Sequence, residues 1–193
     1  MNAFAKLIDR NRHFAAEFTG GDMPILPKLR TVVLACGDAR ADPAHVLGLD
    51  LGDAVVIRNN GGRVTRAFID EIATLAFMVA RMTQGEDPGF DVILMQHTQC
   101  GAERFADEAF QKALKQQTGV DVSEHAISNQ SEDLLRDLDR LCGADEVPGS
   151  LSVSALLYDV KTGSVREIAA PRKLSELRQE GTGDKEGDAS SIT

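Results

Sequence analysis

Two apolar runs in this sequence stop at residues that could hold a metal. The segment Thr31–Arg40, TVVLACGDAR, is a β-branched run ending in Cys36, with Asp38 and Arg40 following at alternate positions. The segment Asp91–Cys100, DVILMQHTQC, delivers His97 and then Cys100. Two thiolates and an imidazole are soft or borderline ligands that suit zinc, and three protein ligands leave a fourth tetrahedral position open, the pattern of a catalytic site. An extended segment turns Asp38 and Arg40 to one side. A guanidinium beside a carboxylate lowers its pKa and fixes its orientation. Such a carboxylate can accept the hydrogen of an activated water and aim its lone pair. Each feature alone has a plainer meaning: a cysteine ending a buried strand is usually a small core residue, an H-x-x-C is a weak ligand signal, and an Asp–Arg pair can simply brace a loop. Their occurrence at two strand ends of one chain favours zinc.

The elements that must position these residues follow from the pattern. TVVLA (31–35), DAVVIRN (53–59) and DVILMQ (91–96) read as strands, the first and third buried on both faces. Asp42 and Pro43 open a short helix, and Thr65 is a plausible N-cap for RAFIDEIATLAFMVARM, which ends near Gly85. A helical region over 102–117, an irregular stretch over 120–130 and an amphipathic helix over 131–143 come next. LSVSALLYDV (151–160), KTG and SVREIA form a strand and hairpin. The charge-rich helices read as solvated faces. Strands alternating with helices indicate an α/β fold with a mostly parallel central sheet, whose ligand crevice lies at the carboxyl ends of the strands. Three units are expected: an N-terminal helical arm and linker (1–28), a zinc-binding catalytic domain (29–177), and a disordered tail (178–193). Phe4, Leu7, Ile8, Phe14 and Phe18 give the arm an apolar stripe, and GGDMPILPK attaches it loosely.

The chain has 193 residues and a formal net charge of -9. That charge argues against sequence-independent binding to nucleic acid or to an anionic membrane, which need a basic face. No apolar run approaches the roughly 20 residues of a bilayer span, and the amphipathic N-terminus lacks the apolar core of a secretory signal. The expectation is a cytoplasmic protein. Cys36, Cys100 and Cys142 are too few and too odd in number for a disulfide framework. His13, His45 and His125 lie on polar or helical stretches and read as solvated, and RNNGGRV lacks the lysine and spacing of a phosphate loop.

The order C-G-D-A-R, R-N-N-G-G, H-T-Q-C-G resembles the β-class carbonic anhydrases, in particular their short bacterial branch. The resemblance is specific from about Leu29 to Arg104 and weaker through LLYDVKTGSV. It implies Zn2+ on Cys36, His97 and Cys100, an orienting dyad of Asp38 and Arg40, and a substrate-positioning segment at Arg58, Asn59 and Gly61. The implied activity is reversible hydration of carbon dioxide to bicarbonate by a zinc-bound hydroxide. Relatives on the same scaffold hydrolyse carbonyl sulfide or carbon disulfide, which is the alternative substrate class. A non-catalytic zinc protein, with Asp38 as fourth ligand, is a third reading. The resemblance also implies a homodimer or higher homo-oligomer, with the arm lying over the partner. Departures are Ala39 where serine is common, Gln96 where glycine is common, and the absence of tryptophan, which the family's regulatory bicarbonate pocket uses. Gln96 is expected to reshape the pocket.

Overall fold

A computed structural model describes residues 2–85 and 89–186. Its centre is a five-stranded sheet in the order β2-β1-β3-β4-β5. The strands are β1 (Thr31–Cys36), β2 (Ala54–Asn59), β3 (Asp91–His97), β4 (Ser152–Tyr158) and β5 (Val165–Lys173). The first four are parallel, and β5 returns antiparallel to β4 after a hairpin. Every residue of β1 is buried, as its uninterrupted apolar run requires of a central strand.

Alternation along β1 and β3 splits the core between two faces. Val32, Leu34, Val92 and Leu94 pack against Phe68, Ile69 and Ile72 of α3 (Arg66–Met82), and against Leu134, Leu138 and Leu141 of α5 (Gln130–Cys142). Val33, Ala35 and Met95 face the other way, under the thinner cover of Val46, Leu47 and Leu49 around α2 (Pro43–Val46). Both proposed N-caps form: Thr65 Oγ1 accepts from the Phe68 N–H at 3.3 Å, and Asp42 Oδ1 accepts from the Ala44 N–H at 3.0 Å. Truncating a fully buried leucine such as Leu34 to alanine in so dense a layer costs about 2–5 kcal/mol.

Helix α1 (Ala3–Glu17) stands apart: none of its residues is buried, and Phe4, Leu7, Ile8 and Phe14 are exposed.

Three expectations are corrected. The helical region at 102–117 is two elements, a 3-10 segment (Gly101–Ala106) and α4 (Glu108–Thr118), separated where Asp107 Oδ1 caps the Ala109 and Phe110 N–H groups. The expected disordered tail is instead helical as far as Glu186, in α6 (Leu174–Glu186). Leu174 is fully buried, and Arg178 donates to the carbonyls of Cys142, Ala144 and Val147, contacts that a count of apolar residues does not register. The rest of that tail, 187–193, lies outside the described residues. Finally, α5 does not present a purely solvated charged face, because Asp133 and Asp137 are buried.

Candidate metal centre

β1 and β3 are parallel neighbours with Ala35 opposite Met95, so their carboxyl ends are level. Cys36 ends the first, His97 ends the second, and Cys100 follows one tight turn later, with Gln99 in the left-handed region at φ 56°. All three candidate ligands are buried, and their donor atoms lie within 4.8 Å of one another. The two sulphurs are 3.6 Å apart.

His97 gives the most direct sign of what the cluster is for. Its Nδ1–H donates to the Thr98 carbonyl at 2.9 Å, which leaves the lone pair on Nε2. Nε2 is buried and has no hydrogen-bond partner. Such an orphan costs about 1–3 kcal/mol unless something accepts it. A divalent cation between Nε2 and the two sulphurs would satisfy it, and the donor set fits zinc. Of the two thiols, Cys36 is the one poised for deprotonation. The Cys100 S–H beside it and, to a lesser degree, His97 pull the Cys36 thiol down against the cost of burial. Cys100 moves up, because the pair shares one proton that its sulphur retains.

Asp38 sits at the mouth of this cluster, with Oδ2 3.9 Å from His97 Nε2. Arg40 grips both of its oxygens, Nε to Oδ1 at 3.0 Å and a terminal nitrogen to Oδ2 at 2.7 Å, and its backbone N–H adds a bond to Oδ1 at 2.9 Å. That guanidinium holds the carboxyl well below the usual carboxylate range. Arg40 is anchored in turn by the Gln99 carbonyl at 3.0 Å, which the left-handed turn at Gln99 presents.

The RNNGG segment is brought to the same place, but its members differ in what they do. Gly61 lines an open cleft with Cys36, Asp38, Asn60, Ala102 and Phe105. Arg58 and Asn59 do not line it. Arg58 donates to the carbonyls of Cys36 (2.9 Å) and Asp38 (2.7 Å) and pairs with Asp42 at 2.8 Å, pinning the turn that carries the dyad. Asn59 closes its own turn through Arg63, accepting from its N–H and donating to its carbonyl. Gly62, not singled out in the sequence, is the tightest position of this segment: its φ is 62°, and a Cβ there would lie 2.8 Å from the Cys36 nitrogen. The doubled glycine was the available signal. The apolar wall of Ala102, Phe105 and Ile127 against Cys36 and Cys100 was hidden in segments that read as polar.

Gln96 is fully buried and faces away from the cleft, donating to Asp137 at 3.4 Å. It therefore does not reshape the pocket directly. It belongs to an ionic cluster in which Arg63 bonds Asp137 at 2.7 Å and 3.1 Å and lies 3.4 Å from Asp133, while donating also to the Ala126 carbonyl. Asp133 accepts from the N–H groups of Ser128 and Asn129. The cluster ties the glycine turn to α5 and to the loop that precedes it.

A family model described as carbonic anhydrase matches residues 31–140, more than half of the chain, and takes in the whole cluster. Over 160 residues the chain is 32% identical to beta-carbonic anhydrase 1 of Mycobacterium tuberculosis, covering 82% of this chain and 93% of that one. The chain belongs to the β-class carbonic anhydrases. A crystal structure of carbonic anhydrase from Streptococcus mutans superimposes with a TM-score of 0.70 at 30% identity, covering 87% of this chain and 98% of the other. The family also reaches a carbon disulfide hydrolase of Acidithiobacillus thiooxidans, 26% identical over 160 residues, with 71% and 76% covered. This β-carbonic anhydrase is thus an enzyme of the carbonic anhydrase type. Among its described residues no helix is long and apolar enough to cross a membrane.

Proposed function

We propose that this enzyme hydrates carbon dioxide reversibly to bicarbonate, with zinc held by Cys36, His97 and Cys100. The observation that carries this is the orphaned Nε2 of His97, buried beside two sulphurs, with Asp38 near but committed to Arg40. Zinc at such a site lowers the pKa of water at its open position to about 7. Asp38, charged at any working pH, accepts a hydrogen from the attacking water and aims a lone pair at the carbon. Arg40 keeps the carboxylate from rotating. Ala102 and Phe105 offer a linear apolar substrate a wall that displaces water. Arg58, Asn59 and Gly61 shape the site through the backbone. A closed structural site with Asp38 as fourth ligand is the poorer account, because Asp38 would have to turn out of its two-point pairing with Arg40 to reach the metal.

The carbon disulfide hydrolase relative supports a second substrate class on the same scaffold, carbonyl sulfide or carbon disulfide. We also propose self-association as a homodimer or larger, because α1 carries an apolar face that its own domain leaves uncovered. Three free cysteines fit a reducing compartment such as the cytoplasm. Stopped-flow hydration by zinc-quantified protein is the test. Rates that scale with zinc and rise with pH are expected. A zinc-loaded protein that is silent towards carbon dioxide but releases hydrogen sulfide from carbonyl sulfide would transfer the assignment to the second class.

A further inference from the structure

No residue of LLYDVKTGSV belongs to the candidate ligands, to the dyad or to the RNNGG segment, yet the turn it forms reaches the metal centre through Thr98. The stretch spans the end of β4, the turn over 159–164 and the first residue of β5. Asp159 closes the turn twice: its N–H donates to the Ser164 carbonyl and its carbonyl accepts from the Gly163 N–H, each at 2.9 Å. Gly163 has φ 75°, in the left-handed region that favours glycine. Asp159 Oδ1 also accepts from the Lys161 N–H at 2.8 Å, which fixes the carboxylate against its own turn.

Tyr158 lies opposite His97 where the parallel pair of β3 and β4 ends. One residue on, Thr98 makes three bonds to the hairpin. Its N–H donates to the Tyr158 carbonyl at 2.9 Å. Its hydroxyl donates to Asp159 Oδ1 at 3.3 Å and accepts from the Val160 N–H at 3.2 Å. A hydroxyl has one hydrogen and two lone pairs, so it makes both contacts at once. The first bond merely continues the sheet, whereas the other two need a hydroxyl at position 98. On the far side, Gln99 has φ 56° and gives its carbonyl to Arg40 at 3.0 Å. The Thr98–Gln99 peptide is thus held from both ends, by the hairpin before it and by the dyad after it. The carbonyl of that peptide is the one that accepts the His97 Nδ1–H at 2.9 Å.

We propose that Thr98 is a positioning residue for the metal centre: its hydroxyl, seated between Asp159 and the Val160 N–H, fixes the peptide whose carbonyl holds the His97 ring with Nε2 towards the two sulphurs. The partner of a ligating imidazole sets both its tautomer and its orientation. Here the hairpin supplies the rigidity, 61 residues further along the chain. This rests on the zinc assignment above.

The experiment titrates the zinc-loaded full chain with a chromophoric chelator for the parent, Thr98→Val and Thr98→Ser, and follows chemical denaturation of the same proteins in excess chelator. Valine keeps the shape and loses the hydroxyl; serine keeps the hydroxyl. The expected result is a zinc dissociation constant about tenfold higher in Thr98→Val, recovered in Thr98→Ser. An unchanged affinity in Thr98→Val, or an equal loss in Thr98→Ser, would overturn the proposal. A loss of metal-free stability without a loss of affinity would overturn it too, since that is what a brace for the sheet alone would give. Asp159→Ala removes the acceptor while leaving Thr98 in place, and it should weaken zinc binding in the same direction; an unchanged affinity there counts against the proposal. An independent readout is the nitrogen NMR spectrum of His97 in the zinc-loaded parent, which should show the hydrogen on Nδ1 and the metal on Nε2. The reverse arrangement overturns the role of Thr98 while leaving His97 a ligand. A parent chain that takes up no zinc would overturn the zinc assignment itself.

Discussion

In the proposed mechanism the chemistry turns on Asp38, and its environment makes its behaviour specific. Arg40 holds its carboxyl far down, so Asp38 is ionised across the whole range from about pH 6 to 9 in which an activated water titrates. Asp38→Asn should therefore retain zinc at full stoichiometry, lose about a hundredfold in kcat/KM, and leave the inflection of the pH–rate profile where it was. Metal analysis with a pH profile checks this. The sign for stability is equally definite. A depressed carboxyl stabilises the folded state above the ordinary aspartate pKa of about 4, and that contribution is lost as the pH falls through the lower folded value. An acid titration followed by circular dichroism should show Asp38→Asn to be less sensitive to that range than the parent. The clustering of Cys36, His97 and Cys100 and the pairing of Asp38 with Arg40 were legible in the sequence, because thiol, imidazole and paired charges at strand ends have few chemical substitutes. Arg58 and Asn59 were found by type and location, while their work on backbone carbonyls was not, since hydrogen bonds to the main chain leave no sequence signature.

At the scale of elements, the site is a property of two strand ends and one turn. The turn must come so close to β1 that Gly62 has no room for a side chain. Gly62→Ala faces both a left-handed φ and backbone atoms that cannot yield, so a loss of about 2–4 kcal/mol is expected. Zinc should bind more weakly as well, because Cys36 is the atom pushed. Chemical denaturation and a zinc competition assay measure the two effects, and a neutral outcome in both would contradict the packing. The strands themselves, and their order of appearance, follow from the β-branched runs. The role of α5 does not: its apolar stripe and charges suggest a solvated face, yet Asp137 lies against Arg63, 74 residues away. Burial pushes the Asp137 carboxyl up, and Arg63 opposes this. Periodicity shows which face of a helix is apolar, but not which of its charges meets a distant partner. Arg178 escaped notice for the same reason, as its three carbonyl acceptors come from the end of α5 and the loop beyond.

At the scale of the whole molecule, α1 is the unfinished part. A helix with Phe4, Leu7, Ile8 and Phe14 exposed gains little by itself in water. Removing residues 1–19 should shift the protein towards monomer in sedimentation or light scattering while the sheet persists by circular dichroism. An unchanged mass would show that association, if present, uses another face. The arm was readable as an amphipathic segment before a glycine-rich linker; in the proposed oligomer its cover would come from a second copy, which one chain's pattern does not encode.

The two sulphurs that touch at 3.6 Å are separated by 64 residues of chain. In the unfolded polymer that span is a loose loop, and gathering its ends costs entropy that no local motif offsets. The cluster therefore exists only where β1 and β3 have already paired, and a bound ion acts as a reversible crosslink whose worth is set by mass action. At a free zinc concentration a thousandfold above the dissociation constant it would contribute about 4 kcal/mol. If zinc occupies the proposed site, loss of the ion and loss of stability are linked, and a chelator should lower the melting temperature of the zinc-loaded protein.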